Sequence, residues 1–176
     1  MWEEPPQGAT LVLGGARSGK SRFAETLAEG AAGPLHYLAT AQILDAEMRA
    51  RVEEHRARRG PRWSTHEVPL DLPAALHDLD APGGVILVDC LTLWLSNLIL
   101  EGHDPQPSRE ALLDALARLR GRAVLVTNEV GLGIVPENAL ARRFRDEAGV
   151  LNQAVAAVCG HAVFVAAGLP LCLKST

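Results

Sequence analysis

Short runs of consecutive apolar residues alternate along the chain with stretches whose apolar positions recur every three or four residues. The runs Thr10–Leu13, Leu35–Ala39, Val85–Val88, Ala123–Val126 and Ala162–Val165 are continuous rather than alternating. That pattern predicts strands covered on both faces. Trp63–Val68 and Leu169–Leu173 are weaker strand candidates. Helical spacing covers about Gly19–Glu29, Asp45–Arg59, Leu72–Leu79, Thr92–Leu100, Ser108–Leu119 and Asn138–Val158, with Asp71 and Ser108 placed as N-caps. Gly149 weakens the last helix. Thr92–Leu100 is apolar nearly all round, which predicts a deeply buried helix or a subunit contact. Strands alternating with helices predict a mostly parallel sheet of about seven strands with helices on both faces. The chain then forms a single α/β domain over residues 1–176, with 1–8 a flexible N-terminal extension. Ligands of such sheets gather beyond the carboxyl ends of the strands, here the loops after Leu13, Ala39, Val88 and Val126.

Composition narrows the class. A chain of 176 residues with 48% hydrophobic and 22% charged residues, and a mean hydropathy of +0.08, can bury one proper core. A net charge of −4 argues against bulk attraction to nucleic acid. No apolar stretch approaches the ~18–20 residues of a membrane span. The acidic, Pro-rich start MWEEPPQGAT does not resemble a secretory signal. Three cysteines, Cys90, Cys159 and Cys172, lie in apolar contexts without metal-ligand spacing, as buried free thiols of a reducing compartment would. A cytoplasmic chain is expected.

The chemistry is concentrated after the first strand, in Gly14-Gly15-Ala16-Arg17-Ser18-Gly19-Lys20-Ser21. This is the G-x-x-x-x-G-K-S phosphate loop, in its required setting between a strand and an amphipathic helix. Glycines let backbone N–H groups close on phosphate oxygens, and the helix start adds partial positive charge. Lys20 would reach the β- and γ-phosphates, and the Ser21 hydroxyl would ligate Mg²⁺. Lys20 is one of only two lysines among 17 basic residues. A second strand ends in an acid, Asp89, placed to hold the metal directly or through water; a helix cap is the plainer alternative. Loop and strand order together predict a three-layer fold of the P-loop NTPase, RecA-like, type.

Of six histidines, five have no chemical neighbours in sequence, while His55 opens the run His55-Arg56-Ala57-Arg58-Arg59-Gly60-Pro61-Arg62. Its arginines would surround a phosphate with charge-assisted donors, and a neutral imidazole is a competent nucleophile. Guanidinium charge nearby favours that neutral form. Equally, arginines in a last helical turn complement its dipole and stay solvated. Glu129 is a candidate to position an acceptor hydroxyl or a metal-bound water, or else to shape a Gly-rich loop. Arg142, Arg143 and Arg145 read as a solvated helix face.

Several segments together resemble the bifunctional adenosylcobinamide kinase / adenosylcobinamide-phosphate guanylyltransferase family of cobalamin biosynthesis. They are GGARSGKSRFAE (Gly14–Glu25), YLATAQILDAEMRARVEEHRARR (Tyr37–Arg59), the strand ending at Asp89, and VTNEVGLGIVPENALARRFRDEAGVLNQ (Val126–Gln153). The resemblance implies phosphorylation of the aminopropanol hydroxyl of adenosylcobinamide by ATP or GTP. Transfer of GMP from GTP to the new phosphate follows, through a guanylylated histidine that matches His55. It further implies nucleotide contacts at Gly14–Ser21, Ala39, Thr40, Ala41, Arg56, Ala57, Arg58, Arg59, Glu67 and Asp89, with Mg²⁺, a corrinoid substrate and a homotrimer. The family often carries glutamate where Asp89 stands, which shortens the reach to a metal. Two alternatives stay open at this level: a P-loop kinase of another small hydroxyl acceptor, and a non-enzymatic nucleotide switch.

Overall fold

A computed structural model describes residues 4–42 and 59–176. The strands are β1 (Gly8–Gly14), β2 (Leu35–Ala39), β3 (Trp63–Glu67), β4 (Val85–Asp89), β5 (Arg122–Asn128), β6 (His161–Ala166) and β7 (Leu169–Ser175). The helices among the described residues are α1 (Lys20–Glu29), α2 (Leu72–Leu79), α3 (Leu91–Leu100), α4 (Pro105–Ala117) and α5 (Ala139–Val158). Most of the helix expected over Asp45–Arg59, with His55, Arg56, Ala57 and Arg58, lies outside the described residues.

The strands form one seven-stranded sheet in the order β3-β2-β4-β5-β1-β6-β7. Every pairing is parallel except β6 with β7. The strand bearing the phosphate loop and the strand ending in Asp89 are therefore separated by one strand, β5. Successive residues of each strand point to opposite faces. Leu11, Leu38, Ile86, Val88 and Leu125 pack against α2, α3, α4 and α5. Val12, Tyr37, Leu87, Val126 and Val163 face the other way, toward Ala24, Leu27 and Ala28 of α1. Double coverage is why these strands read as unbroken apolar runs. α3 is the deeply buried helix: Leu91, Trp94, Leu95 and Leu98 are all sequestered, and Leu100 at its end is exposed.

Some expectations need correction. The helix expected from Ser108 begins at Pro105, and its N-cap is Asp104, whose carboxylate accepts from Gln106 N at 3.1 Å. Pro105 suits the first helical position because its missing N–H has no partner there to lose. Asp71 stands at the cap position of α2, but its side chain makes no cap hydrogen bond. α5 runs unbroken through Gly149, held by buried Ala148, Leu151 and Val155 and capped by Asn138, which accepts from Leu140 N at 2.7 Å and Ala141 N at 3.2 Å. Cys90 and Cys159 are buried, but Cys172 lies exposed on β7. Within the extension expected to be flexible, Gly8 already belongs to β1. Gln7 Nε2 donates to the Arg120 and Gly121 carbonyls at 2.8 and 3.0 Å, and Glu4 pairs with Arg122 at 3.6 Å.

Candidate active site at the carboxyl edge of the sheet

The phosphate loop leaves β1 at Gly14 and turns into α1 at Lys20. Ser18 N closes onto Gly15 O at 3.3 Å, and Phe23 N makes an early helical bond to Gly19 O at 2.9 Å. Gly19 sits at φ +95°, where a side chain is strained, and a Cβ there would come within 3.1 Å of Gly168 Cα. A Cβ on Gly14 would approach the Val165 carbonyl oxygen to 2.6 Å. The turn between β6 and β7 thus sits against the loop, and Gly168 N donates to Ser18 O at 2.8 Å. Lys20 is 9% exposed, and its ammonium reaches back across the loop to Gly15 O at 3.1 Å. That contact uses one of its three protons. Ser18 Oγ is buried without a partner among the described residues, and Ser21 follows in the first turn of α1.

Two strands away, Asp89 ends β4. Ala39 is in register with Asp89 on one side and with Glu67 of β3 on the other. The Tyr37 hydroxyl donates to Asp89 Oδ2 at 3.2 Å. Burial, and then the Asp89 carboxylate, hold that phenol well above its ordinary value of 10.0, so it remains a proton donor. Arg59 lies over the Tyr37 ring, its guanidinium carbon 3.5 Å from the centroid, with Nη1 4.0 Å from Glu25 Oε1. The Cys90 thiol is pushed up to about 11, chiefly by burial and then by Asp89; the Lys20 ammonium acts on it in the opposite direction. Cys90 is therefore a marker rather than a nucleophile: it feels both the lysine of the phosphate loop and the acid of β4.

The loops of this edge are fixed from behind by polar groups buried in an otherwise apolar layer. Thr40 is fully buried, and its hydroxyl accepts from Cys90 N at 2.8 Å and donates to Cys90 O at 2.7 Å. Asn97 Nδ2 donates to Thr40 O at 2.8 Å and Pro69 O at 2.9 Å. Thr92 Oγ1 accepts from Asn128 N at 2.7 Å, and Thr127 Oγ1 donates to Asn152 Oδ1 at 2.8 Å. Thr40 was expected as a nucleotide contact, but Thr92, Asn97, Thr127 and Asn152, with Tyr37 and Glu25, escaped sequence reasoning as site residues. The available signal was Thr92 and Asn97, which with Ser96 are the polar residues of an otherwise apolar α3.

Between the phosphate loop and Asp89 the chain leaves β5 through Glu129. Its backbone N–H donates to Gly14 O at 3.1 Å, and its Oε1 accepts from Gly131 N at 2.5 Å. The carboxylate thus shapes its own loop. Arg142, read as part of a solvated face, instead closes the far end of that loop by donating to Pro136 O at 3.0 Å and Glu137 O at 2.5 Å. Arg143 is exposed, and Arg145 pairs with Asp146 at 3.0 Å. Of the sequence-predicted nucleotide positions, Gly14–Ser21, Ala39, Thr40, Ala41, Glu67 and Asp89 come together at one edge; His55, Arg56, Ala57 and Arg58 lie outside the described residues.

The family described as cobinamide kinase / cobinamide phosphate guanyltransferase matches residues 10–173. The chain belongs to that family. It is 54% identical over 167 residues to the bifunctional adenosylcobalamin biosynthesis protein CobP of Pseudomonas aeruginosa, covering 93% of this chain and 96% of that one. Among solved structures it is similar to the flagellar accessory protein FlaH from Methanocaldococcus jannaschii, with a TM-score of 0.59 at 13% identity over 98% of this chain and 80% of that chain. It is also similar to the RadB recombinase, with a TM-score of 0.54 at 15% identity over 91% and 74%. Those two likenesses speak for the fold alone, the three-layer P-loop type expected from the sequence. As a member of the kinase/guanyltransferase family the protein is a bifunctional transferase, and family and fold together imply nucleotide substrates. No helix among the described residues is long and apolar enough to cross a membrane.

Proposed function

We propose that the protein phosphorylates adenosylcobinamide with ATP or GTP and then transfers GMP from GTP to adenosylcobinamide phosphate through a guanylylated His55. The observation that carries this reading is the convergence at one sheet edge of the Lys20 loop and Asp89, in a chain whose family performs both reactions. In the kinase step the acceptor hydroxyl attacks the γ-phosphorus, its proton leaves as the new P–O bond forms, and the bond to the β–γ bridging oxygen breaks to release the nucleoside diphosphate. Lys20 neutralises charge spreading over the transferring group. In the second reaction His55 attacks the α-phosphorus of GTP, an N–P bond forms and pyrophosphate leaves. A phosphate oxygen of the corrinoid phosphate then displaces the histidine, giving adenosylcobinamide-GDP and free imidazole. A loop that grips β- and γ-phosphates also holds the departing pyrophosphate, so one site can serve both steps.

Ser21 in the first turn of α1 and Asp89 at the end of β4 supply hard oxygen donors, a set that suits Mg²⁺ shared with phosphate oxygens. The metal would contribute charge neutralisation on those phosphates. Tyr37, by donating to Asp89 Oδ2, orients the carboxylate. The working assembly is the homotrimer that the family resemblance implies, acting on the corrinoid in the cytoplasm. In a test, GTP labelled at the α-phosphate should leave an acid-labile, base-stable adduct on His55. His55→Ala should lose guanylylation and keep measurable kinase activity. No adduct removes the guanylyl-transfer mechanism. Loss of both activities with the fold intact counts against separate roles.

A further inference from the structure

We infer that the loop 130–137, between β5 and α5, is the shelf on which the ring of the corrinoid acceptor rests, an inference that depends on the function proposed above. Leu132 is 84% exposed, Ile134 97% and Val135 60%. Three large apolar side chains within four residues stand in water on a loop whose ends are anchored. Glu129 N holds its start to the phosphate loop at Gly14 O, and Arg142 holds its end at Pro136 O. A Cβ built on Gly133 would meet nothing within 4 Å, so the space beside this residue is open. Burial within the described chain does not explain why these positions are apolar; contact with an apolar ligand would.

The position of the loop selects the ligand. It leaves the sheet on β5, the strand between the phosphate loop on β1 and Asp89 on β4. An acceptor whose hydroxyl attacks a phosphorus atom held by Lys20 must bring its remaining bulk to rest beside that loop. The acceptor class here is a broad macrocycle with methyl groups on its rim and a hydroxyl at the end of one arm. The other exposed groups at this edge include the small or charged Ala16, Arg17 and Glu67. Leu169, 73% exposed, stands at the β6–β7 turn, on the opposite side of the phosphate loop from β5 and Asp89. The 132–135 tip carries three exposed apolar side chains against that single leucine, and it leaves the sheet on the strand between Lys20 and Asp89.

The test uses Ile134→Ser and the double variant Leu132→Ser/Ile134→Ser in the full chain. Val158→Ser serves as a control, at an exposed apolar position where α5 ends just before the amino end of β6. The KM for adenosylcobinamide should rise about tenfold for Ile134→Ser, the scale of one lost apolar contact, and further for the double variant. The KM for GTP, labelling by GTP without corrinoid, and the mass in sedimentation velocity should stay unchanged. An unchanged corrinoid KM in the double variant overturns the shelf. So does a fall in mass, which would make the loop a contact between copies of this chain. Failure of the unsubstituted protein to phosphorylate adenosylcobinamide would overturn the proposed function, and an active protein with unaffected variants overturns the shelf alone.

Discussion

Asn97→Leu removes one buried amide and tests whether the site edge is held from behind. The amide donates to Thr40 O at 2.8 Å and to Pro69 O at 2.9 Å, joining α3 to the segments that follow β2 and precede α2. Leucine keeps the branched heavy-atom outline but leaves both carbonyls without that donor. Two hydrogen bonds are worth about 1 kcal/mol each, and stranding the buried Thr40 carbonyl adds roughly 1–2 kcal/mol. Burying leucine in place of an amide returns about 1 kcal/mol. The net loss is about 2–3 kcal/mol, or a melting temperature lower by roughly 4–12 °C for a domain of this size. Urea unfolding should show the loss as a shifted midpoint at an unchanged slope. Because Thr40 adjoins Ala41 at the nucleotide edge, the KM for GTP should also rise several-fold. Asn97→Asp keeps the shape but cannot donate, and should be at least as damaging as leucine. A loss under about 0.5 kcal/mol for leucine, or wild-type stability for aspartate, refutes the reasoning.

Lys174 caps α5 by donating to Ala156 O, Ala157 O and Cys159 O at 3.0, 3.1 and 2.6 Å. Lys174→Met should lower stability by about 1–2 kcal/mol in chemical denaturation and leave both activities intact. His36 Nδ1 lies 3.2 Å from His66 Nε2, and burial, then the neighbouring His66, keep the His36 pKa below its usual 6.5. The unfolded chain therefore takes up that proton before the folded one, so stability falls as the pH drops below 6.5 toward the lower folded value. Unfolding midpoints measured across that range should decline for wild type and less for His36→Gln.

What the sequence disclosed depended on how far apart the cooperating residues lie. The strands were legible because coverage on both faces leaves an unbroken run such as Val85–Val88, and the phosphate loop because all its parts are within eight residues. Asp104 was missed as a cap because two prolines, Pro105 and Pro107, blur where that helix begins. The network behind the site joins residues 25 to 57 positions apart, as in Thr127 with Asn152 and Asn97 with Thr40. No local pattern announces such pairs. For the same reason nothing in the sequence around Lys174 signals its role, since its partners stand 15 to 18 positions earlier. The substrate is legible in neither composition nor periodicity, and it enters through likeness to a family.

The central claim is that GMP reaches the corrinoid by way of His55, and a single-turnover chase tests it most directly. Protein is first labelled with GTP carrying a tagged α-phosphate, freed of nucleotide, and then mixed with adenosylcobinamide phosphate. The label should move from His55 into adenosylcobinamide-GDP at least as fast as steady-state turnover. Label that stays on the protein, or transfers more slowly than turnover, would contradict the account.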